Sequence, residues 1–225
     1  MSIPPVISIP RDPQTLKAAH DFHLANVGEF LLPRDIKKFD TLANAGELWV
    51  AKMGGGIVAA CYVTRDKDDD DAEFGGVIVQ TAHQHTGLAS AIGTIAIGAY
   101  AVQDAAGHRL IAHVHVDNPA PIDLLTKRLG FSDLNEPIAI KKTDLEAKLG
   151  YAIPSMRAGT DGMIRGNTYG FSRTHLDVLA DRLFTGRLAK VPVVIENQYF
   201  QGDALAVTVA TLRELAAPAS AGSGA

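Results

Sequence analysis

The chain has 225 residues, 47% apolar and 20% charged, with 21 basic and 25 acidic side chains and a formal charge of −4 with histidine neutral. That is the composition of a folded globular chain with room for one sizeable core, or for a domain and a small second unit. It lacks the basic excess of a polyanion binder, which argues against nucleic acid as a partner, and its one cysteine, Cys61, excludes an intramolecular disulfide.

In chain order, residues 1–12 read as an extended lead-in, without the basic and then apolar pattern of an export leader. Asp12 can cap a helix that begins at Pro13 and carries Leu16, Ala19, Phe22 and His23 on one face. Pro33 interrupts, and a second helix follows from Arg34 to Ala45, closed by Gly46. The period then changes. Glu47–Lys52 and Ile57–Val63 are strand-like runs around the turn Gly54-Gly55-Gly56, the pattern of a hairpin. Cys61 lies in the second run and reads as a buried small hydrophobe.

Asp66–Asp71 is a charged loop. It lacks the Gly and Glu that a calcium loop needs at its sixth and twelfth positions, and reads as a solvated hairpin tip or a lure for a cationic amine. Phe74–Val79 is a third strand, Gly87–Ala105 a buried helix, Leu110–Val116 a strand, Ala120–Leu129 a helix closed by Gly130, and Pro137–Lys141 a short strand. The helix candidate is too interrupted by polar residues to span a membrane, so a cytoplasmic protein without a membrane partner is expected. Beyond Gly150 a stretch rich in Pro and Gly suggests a boundary. Ser172 can cap a helix from Arg173 to Phe184 with Leu176, Leu179, Ala180 and Leu183 inward; Val191–Ile195 is a short strand; Asp203 can cap a helix to Ala216; and Pro218–Ala225 reads as a disordered tail. The fold class is therefore α+β (mixed α/β), a mostly antiparallel sheet flanked by helices, with one strand–helix–strand crossover.

The strongest chemical signal is the junction Val79–Ala89. An apolar strand runs into a loop with Gly87 and the small Ala89, where a helix of small residues starts. Such a junction presents free backbone N–H groups and the positive end of a helix to a phosphate, although tight packing alone explains small residues equally well. His113, His115 and Asp117 alternate on one strand and share a face. They read as a packed or solvated face, as a general base, or as an incomplete metal set; no metal is expected.

Gln84-His85-Thr86-Gly87-Leu88-Ala89 fits the pattern of Gln or Arg, any two residues, Gly, any residue, then Gly or Ala. Val79-Gln80-Thr81 precedes it in the register of Val-x-Pro. Asp117-Asn118 and Leu124-Leu125-Thr126-Lys127-Arg128-Leu129-Gly130-Phe131 follow, and the Glu47–Val63 hairpin lies upstream. In this order and spacing, residues 10–142 resemble the GNAT family of N-acetyltransferases. The resemblance implies the GNAT fold, with acetyl-CoA or another acyl-CoA in a V-shaped gap between the strand ending at Val79 and the strand Leu110–Val116. Backbone groups of Val77, Ile78 and Val79 would bind the pantetheine arm. Gln84, His85, Thr86, Gly87, Leu88, Ala89 and Ser90 would hold the pyrophosphate, and Asn118 would also contact the cofactor.

The implied activity is transfer of an acyl group from CoA to a primary amine of a small molecule or protein. Glu73, six residues before Val79, is a candidate general base, or simply the end of the acidic loop; His115 is a second candidate. The chain departs from the family where a Tyr often serves as general acid. That position is Thr126, and one residue is inserted between Asn118 and Gly130. Tyr100 and Tyr151 are alternatives for the acid. The departure keeps open a catalytically weak acyl-CoA-binding regulatory or interaction module. The expected organisation is a GNAT domain over 1–150, an extension over 151–217 that covers the acceptor site or makes a homodimer, and the tail 218–225.

Overall fold

The computed structural model describes residues 3–65, 70–104 and 107–217. The expected loop at 66–69, the last residue expected in the buried helix, and the tail from 218 onward lie outside the described residues. In chain order the elements are β1 (Val6–Ser8), α1 (Pro13–Ala25), α2 (Ile36–Ala45), β2 (Leu48–Met53), β3 (Gly56–Arg65), β4 (Asp71–Val79), α3 (Leu88–Gln103), β5 (Arg109–His115), α4 (Ala120–Leu124), β6 (Phe131–Lys141), α5 (Lys142–Leu149), β7 (Met163–Phe171), α6 (Leu176–Thr185), β8 (Val194–Glu196) and α7 (Asp203–Ala216). The strands form one sheet in the order β6-β7-β5-β4-β3-β2-β1-β8. Two pairs are parallel, β4 with β5 and β1 with β8; the remaining pairs are antiparallel. This is the expected mixed α/β sheet with helices on it.

Local chemistry sets the helix starts. The Thr15 N–H donates to Asp12 Oδ1 at 2.8 Å, and the Lys38 N–H donates to Asp35 Oδ1 at 2.7 Å. Asp35 is therefore the cap, and α2 begins two residues later than the periodicity suggests. Gly202, not Asp203, caps α7, and the Asp203 side chain makes no capping bond. The expected helix 120–129 is α4 continued by a π-helical turn over Leu125–Leu129. A π turn takes up one extra residue within a helix. It lies within the stretch where the family comparison counts an insertion.

The two faces of the sheet differ. On one, α3 is apolar almost all round, and Ala91, Ile92, Ile95 and Ile97 are fully buried. The Cys61 thiol points to it, 3.7 Å from the Ile92 carbonyl, and burial raises its pKa. The other side of α3 packs on α6 and α7. A Cβ added at Gly98 would sit 3.5 Å from Leu183 and 3.6 Å from Leu212. On the opposite face α1 and α2 cover β2 and β3. There His23 is 1% exposed, its Nε2 donates to the Leu32 carbonyl at 3.0 Å, and burial lowers its pKa to about 4.

Two elements escaped the sequence reading, α5 and β7. In β7, Gly166 and Gly170 interrupt the alternation of apolar side chains. Both are packing requirements: a Cβ at Gly166 would lie 2.7 Å from the Val114 carbonyl oxygen, and one at Gly170 would lie 2.7 Å from Leu134. β7 enters the sheet between β5 and β6. The sheet thus crosses the boundary expected near Gly150, and one buried cluster includes Trp49, Ile92, Tyr169, Leu183 and Leu212.

Candidate functional site

β4 and β5 are paired only at Asp71–Arg109, Ala72–Leu110 and Glu73–Ile111. Beyond these residues β4 runs on to Val79 and β5 to His115 without pairing to each other, which opens the expected gap. Next to it β4 is bulged. Between the pairs Ala60–Ile78 and Tyr62–Gly75, three steps along β4 answer two along β3. Gly76 has φ +61°, and a Cβ there would collide with the Tyr62 ring, so only glycine fits. The Gln80 N–H donates to the Val58 carbonyl at 2.9 Å. By the alternation of an antiparallel ladder, the backbone groups of Val79, and of Val77 two residues earlier, face the gap, whereas those of Ile78 face β3.

The segment Gln84–Ser90 follows β4 directly. The Gln84 side-chain amide donates back to the Val79 carbonyl at 3.2 Å, and the Thr86 hydroxyl donates to the His83 carbonyl at 2.7 Å. His85 adopts φ +61°, a left-handed conformation that costs a non-glycine residue about 1 kcal/mol or more and tends to occur at ligand loops. The 16-residue helix α3 starts at Leu88 with no side-chain cap. Among the described residues the N–H groups of Leu88, Ala89 and Ser90 have no hydrogen-bond partner. They form a donor set suited to phosphate. Gly87 also permits a close approach by a distant segment. Its missing Cβ leaves room for Ala189 Cα and Lys190 N, which would lie 3.1 and 3.2 Å from it, and the Lys190 N–H donates to the Thr86 carbonyl at 2.8 Å. The chain beyond α6 therefore braces this loop.

The polar residues gather on the face away from α3. Glu73 lines a cavity of about 230 Å³ together with Thr64, Asp71, Arg109, Ile111, His113, Glu136 and Thr168. Among the described residues the Glu73 carboxylate makes no hydrogen bond or ion pair of its own. Beside it Tyr62 is 4% exposed and takes a 3.4 Å hydrogen bond from Arg34 Nε. Burial raises the Tyr62 pKa, against the pull of the Arg34 guanidinium. The sequence reading missed Thr64, Thr168, Glu136 and Arg34; Thr64 and Glu136 fall one residue outside the strands expected at 57–63 and 137–141, and Thr168 lies in the unread β7.

The remaining expected residues divide. His115 is held at both nitrogens: Nε2 donates to the Arg157 carbonyl at 3.2 Å, and Nδ1 accepts the Asp117 N–H at 3.1 Å. Both ring nitrogens are thus engaged, and the Asp117 carboxylate lies 4.0 Å from Nδ1. Its neighbour on the same face, His113, has Nδ1 3.4 Å from the Thr168 hydroxyl. The Thr126 hydroxyl donates to the Ile122 carbonyl within its own helix at 2.8 Å. The Asn118 N–H closes the turn after β5 on the His115 carbonyl at 2.9 Å. Tyr100 lies near the far end of α3 from the loop, with its pKa raised to about 12 by burial. Tyr151 is on the polar face and donates to the Pro33 carbonyl at 2.5 Å. Arg157 reaches the same α1–α2 connection through Glu29 at 3.2 Å and pairs with Asp117 at 3.0 Å. The segment 151–157 is thus tied across the polar face. Among the described residues there is no cluster of His, Cys, Asp or Glu fit for a metal, and no helix long and apolar enough to cross a membrane.

A family model described as the Acetyltransferase (GNAT) family matches residues 15–131, just over half of the chain. No curated protein matches. Among solved structures, the NatC complex bound to Gag peptide and CoA aligns at 13% identity over 75% of this chain and 98% of that one, with a TM-score of 0.52. The ribosomal-protein-S18-alanine N-acetyltransferase of Escherichia coli aligns at 20% identity over 73% and 91%, TM-score 0.48. A GNAT-family acetyltransferase of Bacillus anthracis aligns at 14% identity over 76% and 96%, TM-score 0.49. At these identities the likeness is one of fold.

Proposed function

Since the chain belongs to the GNAT family of acetyltransferases, we propose that it moves an acyl group, in the simplest case acetyl, from CoA to a primary amine. The observation that carries this reading is the alignment of three features: the unpaired backbone of Val77 and Val79 at the gap, the bulge at Gly76, and the free N–H groups of Leu88, Ala89 and Ser90 at the end of the same strand. Val77 and Val79 would pair with the amide-bearing arm of CoA as an added strand does. Gln84–Ser90 would hold the pyrophosphate by its backbone donors. The polar face opposite α3 would receive the amine.

In the transfer, the amine nitrogen forms a bond to the thioester carbonyl carbon and the carbon–sulfur bond breaks. One proton leaves the nitrogen and one is needed by the departing thiolate. Glu73 is the proton acceptor we assign on this face, acting through water, since it is half-buried and its carboxylate makes no hydrogen bond or ion pair among the described residues. Thr126 and Tyr151 are both poor proton donors as they stand, because their hydroxyl protons are already committed to the Ile122 and Pro33 carbonyls.

Acetyl-CoA titrated into the protein by calorimetry, followed by free-thiol release over a panel of amines, tests the proposal. Binding with turnover is expected. No binding at millimolar acetyl-CoA would overturn it, and binding without turnover on any amine would favour a regulatory module.

A further inference from the structure

The cavity beside Glu73 contains more chemistry than a single proton transfer needs. Three carboxylates, Asp71, Glu73 and Glu136, face one guanidinium, Arg109. Arg109 is already committed: Nε and Nη2 donate to the two Asp71 oxygens at 2.9 and 2.7 Å, and Nη1 donates to Glu136 at 3.0 Å. An anion would find no free donor on it. Arg34, the guanidinium on the other side of Tyr62, is turned to the Tyr62 hydroxyl and ring. Thr64, 7% exposed, lines the cavity, and its Oγ1 is buried with no hydrogen-bond partner among the described residues. Thr168, 3% exposed, adds a second hydroxyl. What is left over is the Glu73 carboxylate, two hydroxyls that can donate or accept, and the His113 ring; with three carboxylates against one guanidinium, the lining is complementary to a cationic N–H donor.

Position narrows the ligand further. The cavity begins where β4 and β5 are still paired, at residues 71–73 and 109–111, and reaches His113, two residues past the last pair. The gap and the Gly76 bulge come later. At about 3.3 Å per residue, Val77 is on the order of 10 Å farther along β4 than Glu73. An amine reacting at the gap therefore leaves the cavity free for another part of the same molecule.

Resting on the acyl-transfer reading, we propose that this cavity is a cation subsite for the distal, non-reacting ammonium of an elongated aliphatic diamine. Glu73 and His113 form the wall on the gap side, and Thr64, Thr168 and Glu136 surround the distal charge. Asp71 and Arg109 act as positioning residues, since their bidentate pair fixes Glu136.

The test uses the full chain with acetyl-CoA and free-thiol release, comparing α,ω-diamines of four to eight carbons with monoamines of matched length. The expected result is a kcat/KM at least ten-fold higher for one diamine than for its monoamine, with an optimum in chain length. Glu136→Gln and Thr168→Val should each raise the diamine KM several-fold and bring the diamine-to-monoamine ratio toward one. Equal kcat/KM across the series, or variants that leave the ratio unchanged, would overturn the subsite while leaving acyl transfer standing. If no amine releases thiol, calorimetry with the diamines alone still reads the cavity: binding weakened by either variant supports the subsite, and no binding to the unmodified chain refutes it.

Discussion

Glu73 and His115 were both legible as candidate bases, and their surroundings separate them. Glu73 could be picked out from its place at the start of a strand that runs into the phosphate-type loop. The engagement of His115 could not, because its partner Arg157 is 42 residues away in sequence and belongs to a segment without periodicity. Hydrogen bonds at both ring nitrogens hold the imidazole in one orientation between the backbone of Asp117 and that of Arg157. Positioned general bases contribute about 10²–10⁴-fold. Glu73→Gln should therefore lower kcat by about 10²-fold with little change in the acetyl-CoA Kd. His115→Asn should lower the thermal midpoint, since a bridged, 6%-exposed side chain is lost, while retaining most of kcat per folded molecule. Steady-state kinetics with calorimetry and thermal melts would read both, and the opposite pattern would transfer the role to His115. Thr126 shows the same limit of sequence reading: the missing Tyr was visible, but not that the hydroxyl in its place is tied to its own helix.

At the level of elements, β4 is where the sequence said least about what matters. The pair Gly75-Gly76 reads as a weak spot in a strand. It is a bulge, and the Tyr62 ring on the neighbouring strand fills the space a side chain would need. Tyr62 in turn touches Arg34, so this one position couples the direction of the β4 backbone to the polar face. Gly76→Ala should cost about 1–3 kcal/mol through φ strain and overpacking, and should weaken acetyl-CoA binding by turning the backbone of Val77. Gly56→Ala is the control: it begins the neighbouring strand β3, and a Cβ there would have the Met53 carbonyl as its nearest neighbour at 3.9 Å. It should change stability by less than about 0.5 kcal/mol. Urea unfolding of both variants, with acetyl-CoA titrations, decides between these outcomes; equal behaviour would mean that the bulge has no role at the site.

For the whole molecule, the periodic elements up to Phe131, the apolar face of α6 and the extent of α7 were readable, because each keeps its period. The way the last third of the chain joins the rest was not readable, because it depends on close approaches at Gly166, Gly170 and Gly98 that look like interruptions in a linear sequence. β7 lies inside the sheet and β8 pairs with β1 at the other edge. Phe200 packs edge-on against Trp49 with ring centroids 6.0 Å apart, and Leu212 is fully buried. Whether the end of the 151–217 extension, from residue 186 onward, is an appendage can be tested by ending the chain at Thr185. That removes Leu188, Phe200, Val209 and Leu212 from the core. At about 1.5–3 kcal/mol for each buried side chain the loss is about 6–12 kcal/mol, comparable to the whole stability of a typical domain, about 5–15 kcal/mol. It also removes the Lys190 brace from Thr86 and Gly87. The shortened chain should lose its cooperative unfolding transition, shift Trp49 fluorescence to the red and fail to bind acetyl-CoA. A truncated protein that melts cooperatively within a few degrees of the full chain would show instead that these residues are an appendage, and that the phosphate-type loop holds its shape without them.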